Sequence, residues 1–186
     1  LINSTFTNNT SLYGGAIYWY GANGTLINSI FVGNAATLDG GAVYWNSVNG
    51  HMANSNFTGN TASSNGGAVY WSGTNSNMTT CNFKDNNAVN GDNVCWYWTI
   101  TNFLNKYGQI NDFDYVYILN GIGTPSSTIV LNKKGLIIHG QSTNVVFDAK
   151  GGNLHFEVTG DNVLIENLSF RNFNFSNWGG AIRWNG

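Results

Sequence analysis

A two-part motif recurs along the chain at an interval of 25 or 26 residues. Its first part is a phenylalanine followed three residues later by an asparagine, and Phe6, Phe31, Phe57 and Phe83 follow one another at steps of 25, 26 and 26 residues. Its second part begins eight or nine residues after each phenylalanine and reads Gly-Gly-Ala-Ile/Val-Tyr-Trp. A fixed short period constrains architecture before any local propensity does, because each unit buries its apolar face only against its neighbours.

The copies preserve the motif to different degrees. The second part is intact in three copies, decayed in the fourth and partly restored in the last, at Gly14–Trp19, Gly40–Trp45, Gly66–Trp71, Gly91–Trp96 and Gly179–Trp184. The asparagines of the first part are Asn9, Asn34, Asn60 and Asn86. Phe170 lies nine residues before the last copy and restores the register there.

The length of the repeat unit and its Gly- or Asn-rich turns predict the fold class. A unit of 25 or 26 residues is shorter than the helix pairs of about 33 residues and lacks an apolar stripe at 3.6-residue spacing. Three strands of four to six residues with three Gly- or Asn-rich turns would use about 25 residues. The repeat therefore predicts an all-β chain, a right-handed single-stranded parallel β-helix (pectin-lyase-like solenoid) of about 25–26 residues per coil and about seven coils.

A comparison of the copies predicts which side chains face the interior. The position after Gly-Gly-Ala is always Ile or Val, whereas the next holds Tyr three times, then Cys95 and Arg183. Because arginine is rarely buried, this Tyr column is expected to face solvent, and alternation places the Trp column inside. The predicted interior also contains Ile17, Val43, Val69, Val94 and Ile182, and the apolar residues five before each Phe, which are Leu1, Leu26, Met52, Met78 and Ile165.

A corner is expected three residues before each Phe, because apolar residues on its two sides do not keep one alternation. This column consists of Asn3, Asn28, Asn54, Thr80 and Asn167. Asn tolerates the left-handed conformation of a tight bend, and its amide can bond the equivalent amide in the next coil. The column therefore predicts a stacked asparagine ladder interrupted at Thr80.

The periodicity fails between Tyr97 and Asp114. Ile100, Phe103, Leu104 and Tyr107 follow helical spacing and Gly108 comes next, which predicts a short amphipathic helix. We expect regular coils over 1–98, an irregular, partly helical insertion over 99–114, and further coils over 115–186. The insertion is a lid, a spacer or a junction, and the later coils continue the solenoid or restart it. Their strands are predicted at Tyr115–Leu119, Thr128–Leu131, Leu136–Ile138, Val145–Phe147, Leu154–Val158 and Val163–Phe170.

The composition and charge of the chain argue against some classes of binding partner. Only 9% of residues are charged and the net charge is −2, so the chain has no basic stripe for nucleic acid or anionic membrane. Asparagine, at 32 of 186 positions, provides the polar surface instead. The segment has no apolar run long enough to span a membrane, and we expect it to be an interior segment of a longer polypeptide. Eight glycosylation sequons begin at Asn3, Asn8, Asn9, Asn23, Asn56, Asn77, Asn167 and Asn174, a number that the abundance of Asn, Ser and Thr also explains.

The pairing of Gly-Gly-Ala-Ile/Val with Phe-x-x-Asn resembles the repeats of chlamydial polymorphic outer membrane proteins. The asparagine-rich sequence, as in Gly24–Ser29 and Gly160–Phe170, is similar to that of adhesin-like surface proteins of methanogenic archaea. The resemblance covers nearly all of the chain except the insertion. It implies a right-handed β-helix, secretion, and attachment to other cells or to host or plant surfaces. It supplies no catalytic residues.

Parallel β-helices also include polysaccharide lyases and hydrolases, so the acids and histidines are candidate catalytic groups. Asp112 and Asp114 form the only close acidic pair, which we interpret as a solvated loop. The three histidines His51, His139 and His155 show no matching spacing, and no metal-ligand pattern is present. The sequence therefore predicts no catalytic site, no metal and no cofactor. Cys81 is predicted to face inward and Cys95 outward, as two free thiols.

The column Tyr18, Tyr44 and Tyr70 is the candidate ligand-binding site. If it faces out, three aromatic rings lie along the rod as a platform for sugar rings or partner side chains. The alternative is that the rings only stabilise one another. The predicted function is a non-catalytic extracellular adhesin or surface stalk that binds glycans or proteins of another cell. The alternative function is a polysaccharide-active lyase or hydrolase.

Overall fold

The chain is all-β, with parallel strands stacked as a β-solenoid of about seven turns and one short α-helix. The computed structural model describes residues 1–176 and 179–185. Two compact units are present, a first unit of residues 1–97 and 113–115 and a second unit of residues 98–112 and 116–186. The predicted fold class is confirmed.

Each regular coil of the first unit has four short strands, where the sequence pattern predicted three longer ones. In chain order the strands are β1 (Thr5–Thr7), β2 (Thr10–Ser11), β3 (Ile17–Trp19), β4 (Thr25–Ile27), β5 (Ile30–Val32), β6 (Ala35–Ala36), β7 (Val43–Trp45), β8 (His51–Ala53), β9 (Asn56–Thr58), β10 (Thr61–Ala62), β11 (Val69–Trp71), β12 (Asn77–Thr79), β13 (Asn82–Lys84) and β14 (Val94–Thr99). Equivalent strands pair in parallel, in the orders β1-β5-β9-β13, β2-β6-β10, β3-β7-β11-β14 and β4-β8-β12. The repeat therefore stacks in register, Phe on Phe and Tyr on Tyr.

Residues with left-handed backbone conformation stand at the corners and explain why the strands are short. The corner predicted three residues before each Phe is confirmed, since Asn28 and Thr80 have φ of 51° and 53°. Three further corner columns have positive φ, and they consist of Asn8, Gly33, Gly59 and Asp85, then Gly14, Gly40, Gly66 and Gly91, then Asn23, Asn49 and Asn75. Asn and Gly reach this conformation at the lowest cost. Each corner ends a strand that hydrophobic alternation alone would extend.

The two glycines of the Gly-Gly-Ala motif are required for different reasons. Gly40 has φ of +70°, a conformation that strains residues with a side chain. Gly41 has an ordinary φ, but a Cβ there would overlap the carbonyl oxygen of Gly67 in the next coil. Because that oxygen belongs to the stacked backbone, only glycine fits at position 41.

Identical aromatic side chains stack through the interior of the first unit. The ring centroids of Phe6, Phe31, Phe57 and Phe83 are separated by 5.0, 4.7 and 5.2 Å. The Trp column has the same arrangement, with Trp45 and Trp71 fully buried at 4.8 Å. The Ile/Val column and the apolar column before Phe are buried in the middle coils, at Val43, Val69, Val94, Leu26, Met52 and Met78. The predicted interior of these coils is confirmed.

The asparagine ladder lies in a different column from the one predicted. Asn34 and Asn60, three residues after Phe, are fully buried, and Nδ2 of Asn34 donates to Oδ1 of Asn60 at 2.9 Å. The same Nδ2 donates to the carbonyl oxygen of Phe6 at 3.1 Å, so both of its hydrogens are used. The bonds repeat from Asn9 to Asn86. The corner asparagines are exposed, so they have water as a partner and need no ladder.

The helix predicted in the irregular segment is present in the second unit. Helix α1 spans Ile100–Lys106 and is followed by a 3-10 turn at Tyr107–Gln109. It begins after Thr99, whose Oγ1 accepts a hydrogen bond from the backbone N of Asn102. Its apolar face includes Phe103, which is fully buried and contacts Phe147 edge to face at 5.5 Å. The helix therefore packs on strands of its own unit.

The later strands form three parallel groups. They are β15 (Tyr115–Leu119), β16 (Gly121–Gly123), β17 (Ile129–Leu131), β18 (Ile137–Gly140), β19 (Val145–Asp148), β20 (Phe156–Val158), β21 (Leu164–Glu166), β22 (Ser169–Arg171) and β23 (Ile182–Trp184). Their orders are β15-β18-β21, β16-β19-β22 and β17-β20-β23. Each predicted run contains a strand, and a corner at Asn167 divides the last predicted run into β21 and β22.

The last copy of the Trp column departs from the prediction. Trp184 is 49% exposed, although the Trp column was expected to be interior. Its strand β23 pairs with β20, and no second strand partner is present among the described residues. A side chain covered by a coil on one side only keeps much of its surface in water.

Candidate functional site

Tyr18, Tyr44 and Tyr70 form one outward-facing row in the first unit. They occupy the middle positions of β3, β7 and β11 and pair directly with one another. The ring centroids are 5.0 and 4.8 Å apart, with interplanar angles of 4° and 15°. Tyr18 is 53% exposed, whereas Tyr44 and Tyr70 are half-buried. We call this set the tyrosine row.

The stacking determines which parts of the rings a ligand could contact. Tyr44 has a parallel ring on both sides, so its faces are largely directed at its neighbours. Mutual stabilisation of the rings is therefore present, as the alternative reading of the sequence predicted. The row offers solvent its ring edges and hydroxyl groups rather than three open faces. None of the hydrogen bonds among the described residues uses these three hydroxyl groups, so they are available to a ligand.

A second column runs beside the tyrosine row, and sequence reasoning missed it. It occupies the position before each Gly-Gly or its remnant and consists of Tyr13, Asp39, Asn65 and Asn90. Tyr13 contacts Tyr44 edge to face at 5.1 Å. We call this set the polar column. A column-by-column comparison of the repeat could have found it, because three of its four members carry a carboxylate or an amide.

The polar column is linked by hydrogen bonds from coil to coil. Nδ2 of Asn90 donates to Oδ1 of Asn65 at 2.8 Å, and Nδ2 of Asn65 donates to Oδ1 of Asp39 at 2.7 Å. The backbone N of Asn65 also donates to Oδ1 of Asp39 at 3.1 Å. Both hydrogen bonds to Asp39 use its Oδ1. The other carboxylate oxygen of Asp39, Oδ2, therefore remains available as an acceptor.

The phenols of Tyr44 and Tyr70 are held in their neutral form. Burial raises the pKa of Tyr44, with smaller contributions from Tyr18 and from the carboxylate of Asp39. Burial also raises the pKa of Tyr70 well above its ordinary value, and Cys95, Tyr44 and Asp39 add to the effect. These hydroxyl groups therefore remain protonated at physiological pH and can both donate and accept hydrogen bonds.

The two cysteines are free thiols, as predicted, but their exposure is the reverse of the prediction. Cys95 pairs with Tyr70 and so continues the Tyr column, yet it is only 2% exposed, whereas Cys81 is partly exposed. Burial raises the pKa of Cys81 to about 11. Burial, with the carboxylates of Asp39 and Asp114, raises the pKa of Cys95 still further. Membership of an outward column therefore does not ensure exposure, because side chains along a solenoid cover one another.

The acidic pair of the irregular segment is not a solvated loop throughout. Asp112 is exposed and accepts a hydrogen bond from the backbone N of Lys134 at 2.9 Å. Asp114 is fully buried in the first unit and accepts hydrogen bonds from the backbone N of Val94 and from Nε1 of Trp96. The prediction was wrong for Asp114, because donors from the fourth coil converge on its carboxylate.

Other acids and histidines of the second unit are engaged in local pairs. Asp148 accepts from Nε of Arg171 at 2.9 Å, and Glu157 lies 3.3 Å from Nη1 of Arg183. Oε1 of Glu166 lies 2.7 Å from Nδ1 of His139. His155 is buried and packs on Phe175, and the remaining histidine, His51, lies in β8 of the first unit. Within 1–176 and 179–185, no three His, Cys, Asp or Glu side chains are grouped closely enough to hold a metal ion.

The eight sequon asparagines are exposed. Nδ2 of Asn9 nevertheless donates to Oδ1 of Asn34 at 2.9 Å, at the end of the asparagine ladder. Attachment of a glycan there would compete with that bond. Use of the sequons stays a prediction.

Comparison with known proteins gives one family match. The model of the Chlamydia polymorphic membrane protein repeat matches residues 3–18 and 54–70, which contain copies of Phe-x-x-Asn and Gly-Gly-Ala. This supports the resemblance seen in the repeat. Neither the curated proteins nor the solved structures include a match to the chain. None of the described helices is both long and apolar enough to cross a membrane.

Proposed function

We propose that the chain is a non-catalytic segment of an extracellular surface protein, of adhesin or stalk type. It attaches to glycans or proteins of another cell through the tyrosine row. The match to a polymorphic membrane protein repeat supports a place at the cell surface, because the repeat is named for membrane proteins. An origin among adhesin-like proteins of methanogenic archaea remains a prediction from the asparagine-rich sequence.

The observation that carries the proposed site is the outward row of three stacked tyrosines with hydroxyl groups that have no partner among the described residues. Tyrosine presents a large, rigid contact area with a polar tip, and it is enriched where proteins bind partners. The stack holds each ring in one orientation before a ligand arrives. A preorganised ring loses little conformational entropy on binding.

The test is binding of the 186-residue chain to a glycan array and to cells, compared with a variant in which Tyr18, Tyr44 and Tyr70 are replaced by Ser. We expect the apparent affinity to fall at least about tenfold, as is usual when aromatic anchors are removed. Tyr20→Ser is the matched control, because Tyr20 is 73% exposed and lies outside the row. Circular dichroism establishes that each variant is folded. Unchanged binding by a folded triple variant would refute the site.

The alternative of a polysaccharide-active enzyme has less support in the geometry. Asp148, Glu157 and Glu166 are each engaged with a basic partner rather than paired with a second acid across an open cleft. Glycoside hydrolysis requires two carboxyl groups facing one bond. Release of reducing ends or unsaturated uronides from a panel of polysaccharides would establish an enzyme and overturn the non-catalytic proposal.

A purely architectural stalk is distinguished by deletion of one coil. Removal of residues 32–57 takes out one period and the central Tyr44 of the row. A stalk keeps its function when shortened by about 4.8 Å, whereas a local binding site loses affinity.

A further inference from the structure

The tyrosine row and the polar column form one continuous surface that extends over several coils. Tyr13 contacts Tyr18 and Tyr44 edge to face at 6.4 and 5.1 Å, so the first coil already joins the two columns. In the next two coils Asp39 and Asn65 take the position of Tyr13, five residues before the tyrosine of their own coil, and these tyrosines stack in register. Aromatic and hydrogen-bonding groups therefore alternate across the surface and repeat at coil spacing along it.

The hydrogen-bonding capacity of this surface suits a ligand rich in hydroxyl groups. The phenol groups of Tyr18, Tyr44 and Tyr70 can each donate and accept, and one oxygen of Asp39 remains available as an acceptor. Sugar hydroxyls complement such mixed groups, and the ring edges that the stack leaves open offer apolar contact beside them. A few placed polar groups beside aromatic surface are typical of small-ligand sites.

The charge of the first unit favours uncharged sugars over anionic ones. Lys84 is its only Lys or Arg, whereas Asp39, Asp85, Asp92 and Asp114 are its acids. Lys84 lies in β13 and pairs with Thr58 of β9, in a stack of strands separate from that of the tyrosine row. Asp39, in contrast, is part of the surface itself. An anionic ligand would meet a like charge there, and the first unit has no Lys or Arg in that stack of strands to offset it.

We infer that the tyrosine row and the polar column bind an uncharged polysaccharide laid along the stacked coils, and that uronate and sulfated polymers are rejected. This inference rests on the proposed attachment function and specifies its ligand class. The ring edges and hydroxyl groups contact successive sugars, while Asp39 accepts hydrogen bonds from sugar hydroxyls. Repetition of the surface from coil to coil lets one polymer engage several weak contacts at once.

The test compares binding of the 186-residue chain to soluble β-glucan, mannan and xylan with binding to polygalacturonate and alginate. We expect at least one uncharged polymer to bind, neither anionic polymer to bind as tightly, and replacement of the three tyrosines by Phe to weaken binding. The Phe variant keeps the ring stack and removes only the hydroxyl groups. Tyr20→Phe is its matched control.

Asp39→Asn isolates the charge, because an amide oxygen can still accept the hydrogen bonds from Asn65. We expect the preference for uncharged over anionic polymers to fall about fivefold at low ionic strength and less at high salt. Asp85→Asn makes the same charge change at a corner with φ of 53°, where Asn is equally tolerated, and should leave the preference unchanged.

The outcomes separate this inference from the proposed function. Tyrosine-dependent binding that favours polygalacturonate or alginate would overturn the ligand class and leave the attachment site in place. Failure of every polymer to bind in a tyrosine-dependent manner would also overturn the ligand class. The attachment function would then stand or fall on the cell-binding comparison with the Ser triple variant.

Discussion

Nε1 of Trp96 donates a 2.8 Å hydrogen bond to Oδ2 of Asp114, a carboxylate that is completely buried. Oδ1 of the same carboxylate accepts from the backbone N of Val94 at 3.1 Å. In the earlier copies the equivalent N–H, that of Val43 or Val69, donates to a backbone carbonyl of the next coil. Asp114 therefore supplies by side chain the acceptor that a further regular coil would supply by backbone.

Replacement of Asp114 by Ala should lower the free energy of unfolding by about 1–3 kcal/mol, because it leaves buried donors of Val94 and Trp96 without a partner. Urea unfolding followed by tryptophan fluorescence measures the change. Asp85→Asn, at an exposed corner, is the control and should be within about 0.5 kcal/mol of the parent. Equal stability of the two variants would contradict the role given to Asp114.

Replacement of Asn60 by Ala should be more damaging than loss of any exposed asparagine. Its amide donates to Asn86 and to the carbonyl of Phe31 and accepts from Asn34, all in a buried environment. We expect a loss of about 3 kcal/mol or more, since several buried groups lose partners together. Thermal unfolding of Asn60→Ala and of the exposed Asn87→Ala gives the comparison. A similar melting temperature for both would show that the ladder is dispensable.

The second glycine of the Gly40-Gly41 pair should not accept even a methyl group. Gly41→Ala places Cβ against the backbone carbonyl of Gly67, and we expect a loss of more than about 3 kcal/mol or failure to fold. Gly59→Asn is the contrasting variant, because Gly59 has φ of +63° with open space around it and Asn tolerates that conformation. Soluble yield and circular dichroism report both. A stable Gly41→Ala chain would mean that the coils can separate locally.

Acid stability should depend on Asp148. The side chain of Asn172, the backbone N of Lys150 and the side chain of Arg171 lower the pKa of Asp148 in the folded chain. A depressed pKa contributes stability above the unfolded value, near pH 4, and that contribution is lost as the pH falls through the folded value. Melting temperatures from pH 7 to pH 2 should therefore decline less steeply at the acid end for Asp148→Asn. Parallel curves for the two chains would contradict this assignment.

The thiols should be slow to react in the native chain. Burial raises the pKa of Cys81 to about 11, so its reactive thiolate is scarce at pH 8 and grows about tenfold per pH unit up to pH 10. Cys95 should react only after unfolding, because it is both buried and higher in pKa. Titration with a chromogenic disulfide in native buffer and in denaturant measures both rates. Rapid labelling of Cys95 in native buffer would contradict its burial.

Much of the fold follows from comparing copies of the repeat. Phe31 above Phe57 and Trp45 above Trp71 could be predicted because a period of 25 or 26 residues leaves one way to stack them. The corner at Asn28 could be predicted from the sequence for the same reason. The short helix from Ile100 to Lys106 could be predicted from the helical spacing of its apolar residues and from the glycine that follows them.

The candidate site could be predicted only in part from the sequence. The outward direction of Tyr44 follows from strand alternation, but its closeness to Tyr13 depends on a corner whose geometry no pattern specifies. Likewise, Asn34 lies in the buried ladder although Asn28 lies at an exposed corner. Both belong to asparagine-rich columns of the repeat, and only the path of the backbone decides which amides are removed from water.

By itself, the amino-acid sequence of this protein determined the period, the parallel stacking and the identity of the interior columns, because those depend on which residues recur at equal distance. Only the tertiary structure decided that Asp114 closes the fourth coil, that Cys95 is covered and that Asp39 borders the tyrosines. These relations join residues outside a common strand. They depend on where each corner turns the chain, which is a three-dimensional property that residue spacing does not encode.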